Sequence, residues 1–264
     1  MKIKHAIFLA AAMLVALMTP ARAADQFSAD QKQQLETVIH DYLISHPEVF
    51  REAMEKLQIQ EQDAEQKRIA DAAKAVKPIT PEDHIRGDAK APVKIIEFAD
   101  LECPFCKGFH TTMKKVMDDY GKAGKVAWVY RHFPLDQLHP KARKEAQAAE
   151  CAGEVGGPDK FWAYADKVFE ATPSNNKFDL ALLPKFAEQL GLDKAKFETC
   201  LQGDDKGGKY AAHIQANEDD ATASGGQGTP YSLVISAKGN ITIINGAEPY
   251  DSVKAKIETA LKDQ

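Results

Sequence analysis

The sequence predicts an α/β fold in which two strand-containing halves flank a long helical insert, with a separate helical segment in front. Three observations carry this reading. Residues 93–98 and 126–133 read as buried strands on either side of a helix at 104–120. From about 137 to 222 the pattern is helical throughout. Strands at 231–236 and 241–245 and a terminal helix at 249–262 follow, so the order is β-α-β, helical insert, β-β-α.

The first residues read as an address. Lys2 and Lys4 precede an apolar run from Ile7 to Met18, and Ala21 and Ala23 put small residues at the positions a signal peptidase reads. Twelve apolar residues are too few to cross about 30 Å of hydrocarbon. The expectation is a cleaved signal peptide, 1–23, and delivery to the oxidising periplasm, where cysteines form or exchange disulfides.

Residues 25–77 hold no glycine and no cysteine, and Pro47 is the one proline before Pro78. Ser28 with Gln31, and Ser45 with Glu48, read as capping boxes. They predict helix 29–44, a break at Ser45, His46 and Pro47, and helix 47–75. Leu35, Val38, Ile39, Tyr42 and Leu43 make one apolar stripe, and Val49, Phe50, Ala53, Met54 and Leu57 another. Two such helices cannot cover both stripes on each other. They need either the main domain or another copy of the chain, and the favoured expectation is a homo-oligomer, dimer or trimer, formed through 29–57. The segment 24–77 is thus expected as an oligomerisation stalk and 78–87, with Pro78, Pro81 and Gly87, as a linker. Residues 88–264 form the main domain. Its insert divides into helices near 139–152, 159–170, 179–190, 193–201 and 206–221.

The formal charge is −5, and 44% of the 264 residues are hydrophobic. That composition is globular. An acidic chain lacks the basic surface that phosphate backbones require, so no nucleic-acid partner is expected.

The chemistry is concentrated at Cys103, Pro104, Phe105 and Cys106. A C-x-x-C opening a helix directly after a buried strand puts its first sulfur among free N–H groups at the positive end of the dipole. That lowers the thiol pKa and makes Cys103 the nucleophile. Cys106, one turn on, is expected to be less exposed and to resolve the mixed disulfide. Pro104 suits the first turn. Half of a zinc site and an inert bridge are the alternatives. A second C-x-x-C is missing, and a bridge across two residues is rarely structural. His110 is expected on the helix surface.

The segment from Ile95 to Cys106, reading IIEFADLECPFC, resembles the active-site region of the DsbA-like branch of the thioredoxin superfamily. Gly228, Thr229 and Pro230 resemble its cis-proline loop, and Tyr42 to Val49 resemble the stalk of oligomeric, ScsC-like and Com1-like members. The resemblance implies a thioredoxin fold with an inserted helical domain, preceded by an N-terminal helical oligomerisation segment. It implies Cys103 as exposed nucleophile, Cys106 as buried partner, and Pro230 as a cis proline with Thr229 presenting backbone to substrate. Glu97 would be the buried acid beneath the disulfide, unless it is a strand residue facing a lysine. Phe105 replaces the histidine of strongly oxidising members and offers the thiolate no hydrogen bond. The implied activity is protein thiol–disulfide exchange on exported proteins, recycled by a membrane redox partner, with no cofactor and no metal. A non-catalytic holdase or a copper-binding thiol protein is the alternative.

Cys151 and Cys200 remain, both on helices of the insert, and are expected to form one structural disulfide, with two buried free thiols or a second redox pair as the alternatives. Glu102 is read as a solvated flank of the site and the charged residues of 141–150 as a solvated helix face. Trp128, Tyr130 and Phe133 read as strand core, and His132, His139 and His213 as isolated histidines.

Overall fold

The computed structural model describes residues 27–203 and 208–263. The signal peptide expected at 1–23, and the first residues of the helix expected at 206–221, lie outside them. Two compact units divide at Gln62 and Asp63.

In the first unit α1 (Ala29–Ser45) opens on the expected box, with Gln31 N donating to Ser28 Oγ at 3.3 Å and Ser28 N to Gln31 Oε1 at 2.8 Å. The second expected box is not made. Ser45 is the last residue of α1, and its hydroxyl donates back to the Asp41 and Tyr42 carbonyls. α2 (Pro47–Ala73), whose residues from Asp63 on belong to the second unit, starts at the proline, whose missing N–H costs nothing in a first turn. Leu35, Val38, Ile39, Tyr42, Leu43, Val49, Phe50, Met54 and Leu57 are all exposed, so both stripes are uncovered in the single chain.

The second unit is built on a five-stranded sheet in the order β1-β3-β2-β4-β5. β2 (Val93–Ala99) and β3 (Val126–His132) pair in parallel, connected through α3 (Pro104–Val116). β4 (Tyr231–Ile235) pairs antiparallel with β2, and β5 (Ile241–Asn245) with β4. Strand alternation assigns Ile95, Glu97 and Ala99 to one face and Ile96 and Phe98 to the other. The first face packs with Trp128, Tyr130, Cys106 and Phe109. The second packs with Val129, Tyr231, Leu233, Ala73 and Ala221. Both faces are covered, which is why 93–99 reads as a near-continuous apolar run.

The linker expected at 78–87 contains a strand, β1 (His84–Arg86), antiparallel to the far edge of β3. Three residues are too few to show a period of two, and Gly87 at φ +98° ends them. The helix expected to run to residue 120 gives way at Met117 to a π-helical turn, Met117–Gly121. The Met117 side chain lies where a Cβ on Gly121 would sit.

The insert comprises α4 (Ala142–Gly156), α5 (Pro158–Ala171), α6 (Leu183–Gln189), α7 (Lys194–Leu201) and α8 (Ala211–Ala223). α9 (Tyr250–Lys262) returns to the sheet. The charged stretch 141–150 is not a solvated face. α4 lies among α5, α7 and α8, so Glu145, Gln147 and Glu150 are buried with its alanines. Nor are the histidines isolated. His84 and His132 approach Glu150 with Nε2 at 2.9 Å, and His213 Nε2 lies 3.5 Å from it. Burial works against that carboxylate, yet the imidazoles hold it well below its usual range.

Cys151 on α4 and Cys200 on α7 are disulfide-bonded, with Cα atoms 5.7 Å apart and a sequence separation of 49. Closing a loop of that length restricts the unfolded chain by about 4 kcal/mol. Cys151→Ala/Cys200→Ala is expected to lose stability of that order in urea unfolding, whereas an unchanged midpoint would mean that the packing of α4 on α7 suffices.

Candidate active site

β2 delivers the chain into a buried loop, Asp100, Leu101 and Glu102, that ends at Cys103, the N-cap of α3. The loop is held from inside. Asp100 accepts from Glu102 N at 2.8 Å, Leu135 N at 2.9 Å and His139 Nδ1 at 2.8 Å. Asp100 in turn raises the His139 pKa. Glu102 is fully buried rather than solvated. Its carboxylate accepts from Phe178 N at 3.1 Å and Thr172 Oγ1 at 3.2 Å, and its carbonyl accepts from Asn175 N at 3.1 Å. These partners sit in the loop after α5, where Ser174, Asn175 and Asn176 take left-handed φ values of 62°, 54° and 65°. Such backbone persists only where surrounding contacts hold it, and Glu102 supplies three of them.

Cys103 is 3% exposed, less open than expected of a nucleophile, because the loop 229–230 lies against it. Its Sγ is 3.5 Å from the Thr229 carbonyl, and the Thr229–Pro230 peptide is cis. The Cys106 thiol, together with the N–H groups of Phe105 and Cys106, lowers the Cys103 pKa to about 6 against the opposing effect of burial. Cys106 is fully buried one turn on, with Asp100 N directed at its Sγ at 3.5 Å. Burial, and then the neighbouring Cys103 sulfur, push its thiol well above the usual range. Phe105 is 67% exposed on the outer side of the first turn.

Glu97 is fully buried on the same sheet face and faces an indole, not a lysine. Trp128 Nε1–H donates to Glu97 Oε2 at 2.7 Å. Burial raises the Glu97 carboxyl to about 8, with the Trp128 hydrogen bond pulling the other way. His110 is also buried, between the rings of Trp128 and Phe169, where Asp166 bonds its Nε2 at 2.6 Å. Burial lowers its pKa. The site therefore gathers Glu97, Cys103, Cys106, Thr229 and Pro230, with Pro104 and Phe105 between the thiols, while Cys151–Cys200 lies in the insert. Trp128, read as packing, was the residue missed. The available signal was a lone acid in a buried strand, which needs a donor on the same face of a neighbouring strand. Among the described residues no group of three or more His, Cys, Asp or Glu side chains is arranged to hold a metal ion.

The comparisons fit this geometry. A thioredoxin family model matches residues 79–259. The chain belongs to the thioredoxin superfamily, in its DsbA-like branch. A model described as the copper resistance protein ScsC N-terminal domain matches residues 31–64. Among curated relatives, the Na(+)/H(+) antiporter NhaA 3 of Salinispora tropica is 36% identical over 60% of this chain and 22% of its own length. This chain thus spans about a fifth of that relative. Disulfide bond formation protein D of Bacillus subtilis is 29% identical over 67% of this chain and 77% of its own. The crystal structure of Pseudomonas aeruginosa DsbA2 superposes with a TM-score of 0.57 at 29% identity, covering 71% of this chain and 98% of that one.

Two outcomes follow from these pKa shifts. Alkylation of the reduced chain, read by mass spectrometry, is expected to label Cys103 half-maximally near pH 6 and to leave Cys106 unlabelled through neutral pH. Prior labelling of Cys106 would contradict this. Burial, then the carboxyls of Glu102 and Asp100, raise Glu145 from 4.5 to about 10, and neither of its oxygens has a hydrogen-bond partner among the described residues. The folded chain keeps a proton there that the unfolded chain loses, so this site costs stability as pH rises above 4.5. Glu145→Gln should gain on the native chain between pH 5 and pH 9 in urea unfolding. An equal difference at both would contradict the assignment.

Proposed function

We propose that the chain is a periplasmic protein thiol–disulfide oxidoreductase and isomerase, forming or shuffling disulfides in exported proteins through Cys103 and Cys106. The observation that carries this reading is the asymmetry of the two thiols. One is lowered to about 6 at a helix start, and the other is buried and raised one turn on. A thiolate at neutral pH is the attacking and leaving species of exchange.

In oxidation a substrate thiolate attacks Cys103 Sγ and the Cys103–Cys106 bond breaks, giving a mixed disulfide and a reduced Cys106. A second substrate thiolate then attacks the mixed disulfide and releases Cys103. The products are an oxidised substrate and the dithiol chain. In isomerisation the Cys103 thiolate attacks a wrong bridge, and a substrate thiol expels it after rearrangement. Glu97 exchanges a proton with Cys106. Thr229 and Pro230 present backbone to the substrate strand, and Pro104 and Phe105 set the first turn. A membrane oxidase or reductase returns the pair to its working form.

The names of the Bacillus subtilis and Pseudomonas aeruginosa proteins support this chemistry. The uncovered stripes of 29–57 and the ScsC N-terminal match support a dimer or trimer. Several catalytic domains in one assembly suit isomerisation, because a client can be engaged at more than one disulfide. The copper in the matched model's description favours one second reading, in which Cys103 and Cys106 are thiolate ligands.

The test is reactivation of scrambled ribonuclease by the reduced chain and oxidation of reduced ribonuclease by its disulfide form. Both are expected to fall to background in Cys103→Ser, and reactivation alone to fall in Val38→Lys/Phe50→Lys, which disrupts the stripes. A chain no faster than Cys103→Ser in either assay, yet binding cuprous ion stoichiometrically, would establish the copper reading instead.

A further inference from the structure

Trp128 stands on β3 with its ring on the Glu97 face of the sheet. Both side chains are fully buried, and the indole N–H is 2.7 Å from Glu97 Oε2. Glu97 Oε1 has no hydrogen-bond partner among the described residues. The indole cannot turn away. The Trp162 ring lies 4.6 Å from it, the His110 ring 5.1 Å, and the Arg86 guanidinium 5.3 Å over its face.

We propose that Trp128 is the positioning residue for proton delivery to Cys106: its N–H engages Oε2 of Glu97, so that Oε1, which is not in hydrogen-bond contact with the Cys106 sulfur, carries the proton and relays it through one bridging water as that sulfur leaves Cys103. This deepens the exchange reading above and rests on it. The step balances. The substrate thiolate forms a bond to Cys103 Sγ, and the Cys103–Cys106 bond breaks with its electron pair on Cys106 Sγ. That sulfur takes the proton relayed from Glu97, which is left as carboxylate. The disulfide itself is the oxidant.

The site needs such a donor. Cys106 departs into an apolar interior, its thiol is pushed well above the usual range, and a leaving thiol of high pKa leaves slowly. A carboxyl at about 8 is loaded at neutral pH and is a stronger acid than the thiol it serves. A lysine in place of the indole would pair with the carboxylate and unload it. The indole is a neutral donor, so it leaves the proton in place and stabilises the carboxylate formed after transfer. The remaining titratable groups nearby are Cys106 and His110 on α3, Tyr130 on β3, Asp100 after β2, Arg86 on β1 and Asp166 on α5. Arg86 and Asp166 pair with each other at 2.8 Å.

The first test is optical. The chain has two tryptophans, so Trp162→Phe leaves Trp128 as the only indole, which is excited selectively at wavelengths beyond tyrosine absorption. In its disulfide form, which has no thiol to titrate, emission is expected to change with a midpoint near pH 8, and Trp162→Phe/Glu97→Gln to lose the change. No transition between pH 6.5 and 9.5, or one that survives Glu97→Gln, overturns the proposal. The second test is single-turnover oxidation of a reduced peptide, expressed per substrate thiolate. The native rate is expected to fall above about pH 8. In Trp128→Phe the plateau is expected to be roughly ten-fold lower and the fall to move up by about one pH unit, since a hydrogen bond to the charged form is lost. An active chain whose rate and alkaline limb are unchanged by Trp128→Phe overturns the proposal alone. A native chain no faster than Cys103→Ser overturns the exchange reading and the proposal with it. If Trp128→Phe does not fold, the optical titration still decides.

Discussion

A helix N-terminus set directly on an apolar sheet is the constraint on which the rest depends. The first turn of α3 has free N–H groups, and those of Phe105 and Cys106 help to lower the pKa of the sulfur at its N-cap. One turn further in, the same helix has entered a medium that rejects charge. The two sulfurs share a backbone and lie close in space, yet they are pushed in opposite directions. Glu97 lies in the same medium and is pushed in the same direction as Cys106, toward its protonated form. Burial sets the proton affinities of Cys106 and Glu97, whereas the hydrogen bonds that reach its sulfur set that of Cys103.

That arrangement requires the approach to Cys103 to be fixed, and it is fixed from the insert. Asp100 reaches the segment after β3, and Glu102 reaches the loop after α5. Lys141 donates to the carbonyls of Asn176 at 2.8 Å and Phe178 at 2.6 Å, and Lys107 to that of Thr172 at 2.6 Å. The left-handed run at 174–176 is therefore tied on one side to the loop that leads into Cys103 and on the other to α3 and the start of α4. The helical insert is part of the site's frame, not an appendage to it.

The order of elements and the thiol pair were legible because their signals are local. Short apolar runs, a C-x-x-C at a strand-to-helix junction and Ser28 with Gln31 need no tertiary knowledge. What escaped was partnership across the chain. Glu102, Glu145 and Glu150 read as solvent-facing because charged residues are rarely buried, and nothing nearby in sequence announces Phe178, or His84 and His132. Trp128 read as bulk because an aromatic in a strand usually is bulk, and its one N–H became informative only once the register set Ile95 beside it and Glu97 on the same face. β1 was too short to show alternation, and it exists because β3 offers it an edge.

The positions of the four cysteines carry a consequence for how the chain is made. Cys103 precedes Cys106, and Cys151 precedes Cys200, so the active pair is complete in sequence before the bridging pair begins. A chain threaded N-terminus first into an oxidising space presents its sulfurs in that order. Pairing each new thiol with the last one still open then produces the correct bonds with no reshuffling. The two pairs follow one another along the chain, so neither bond has to cross the other.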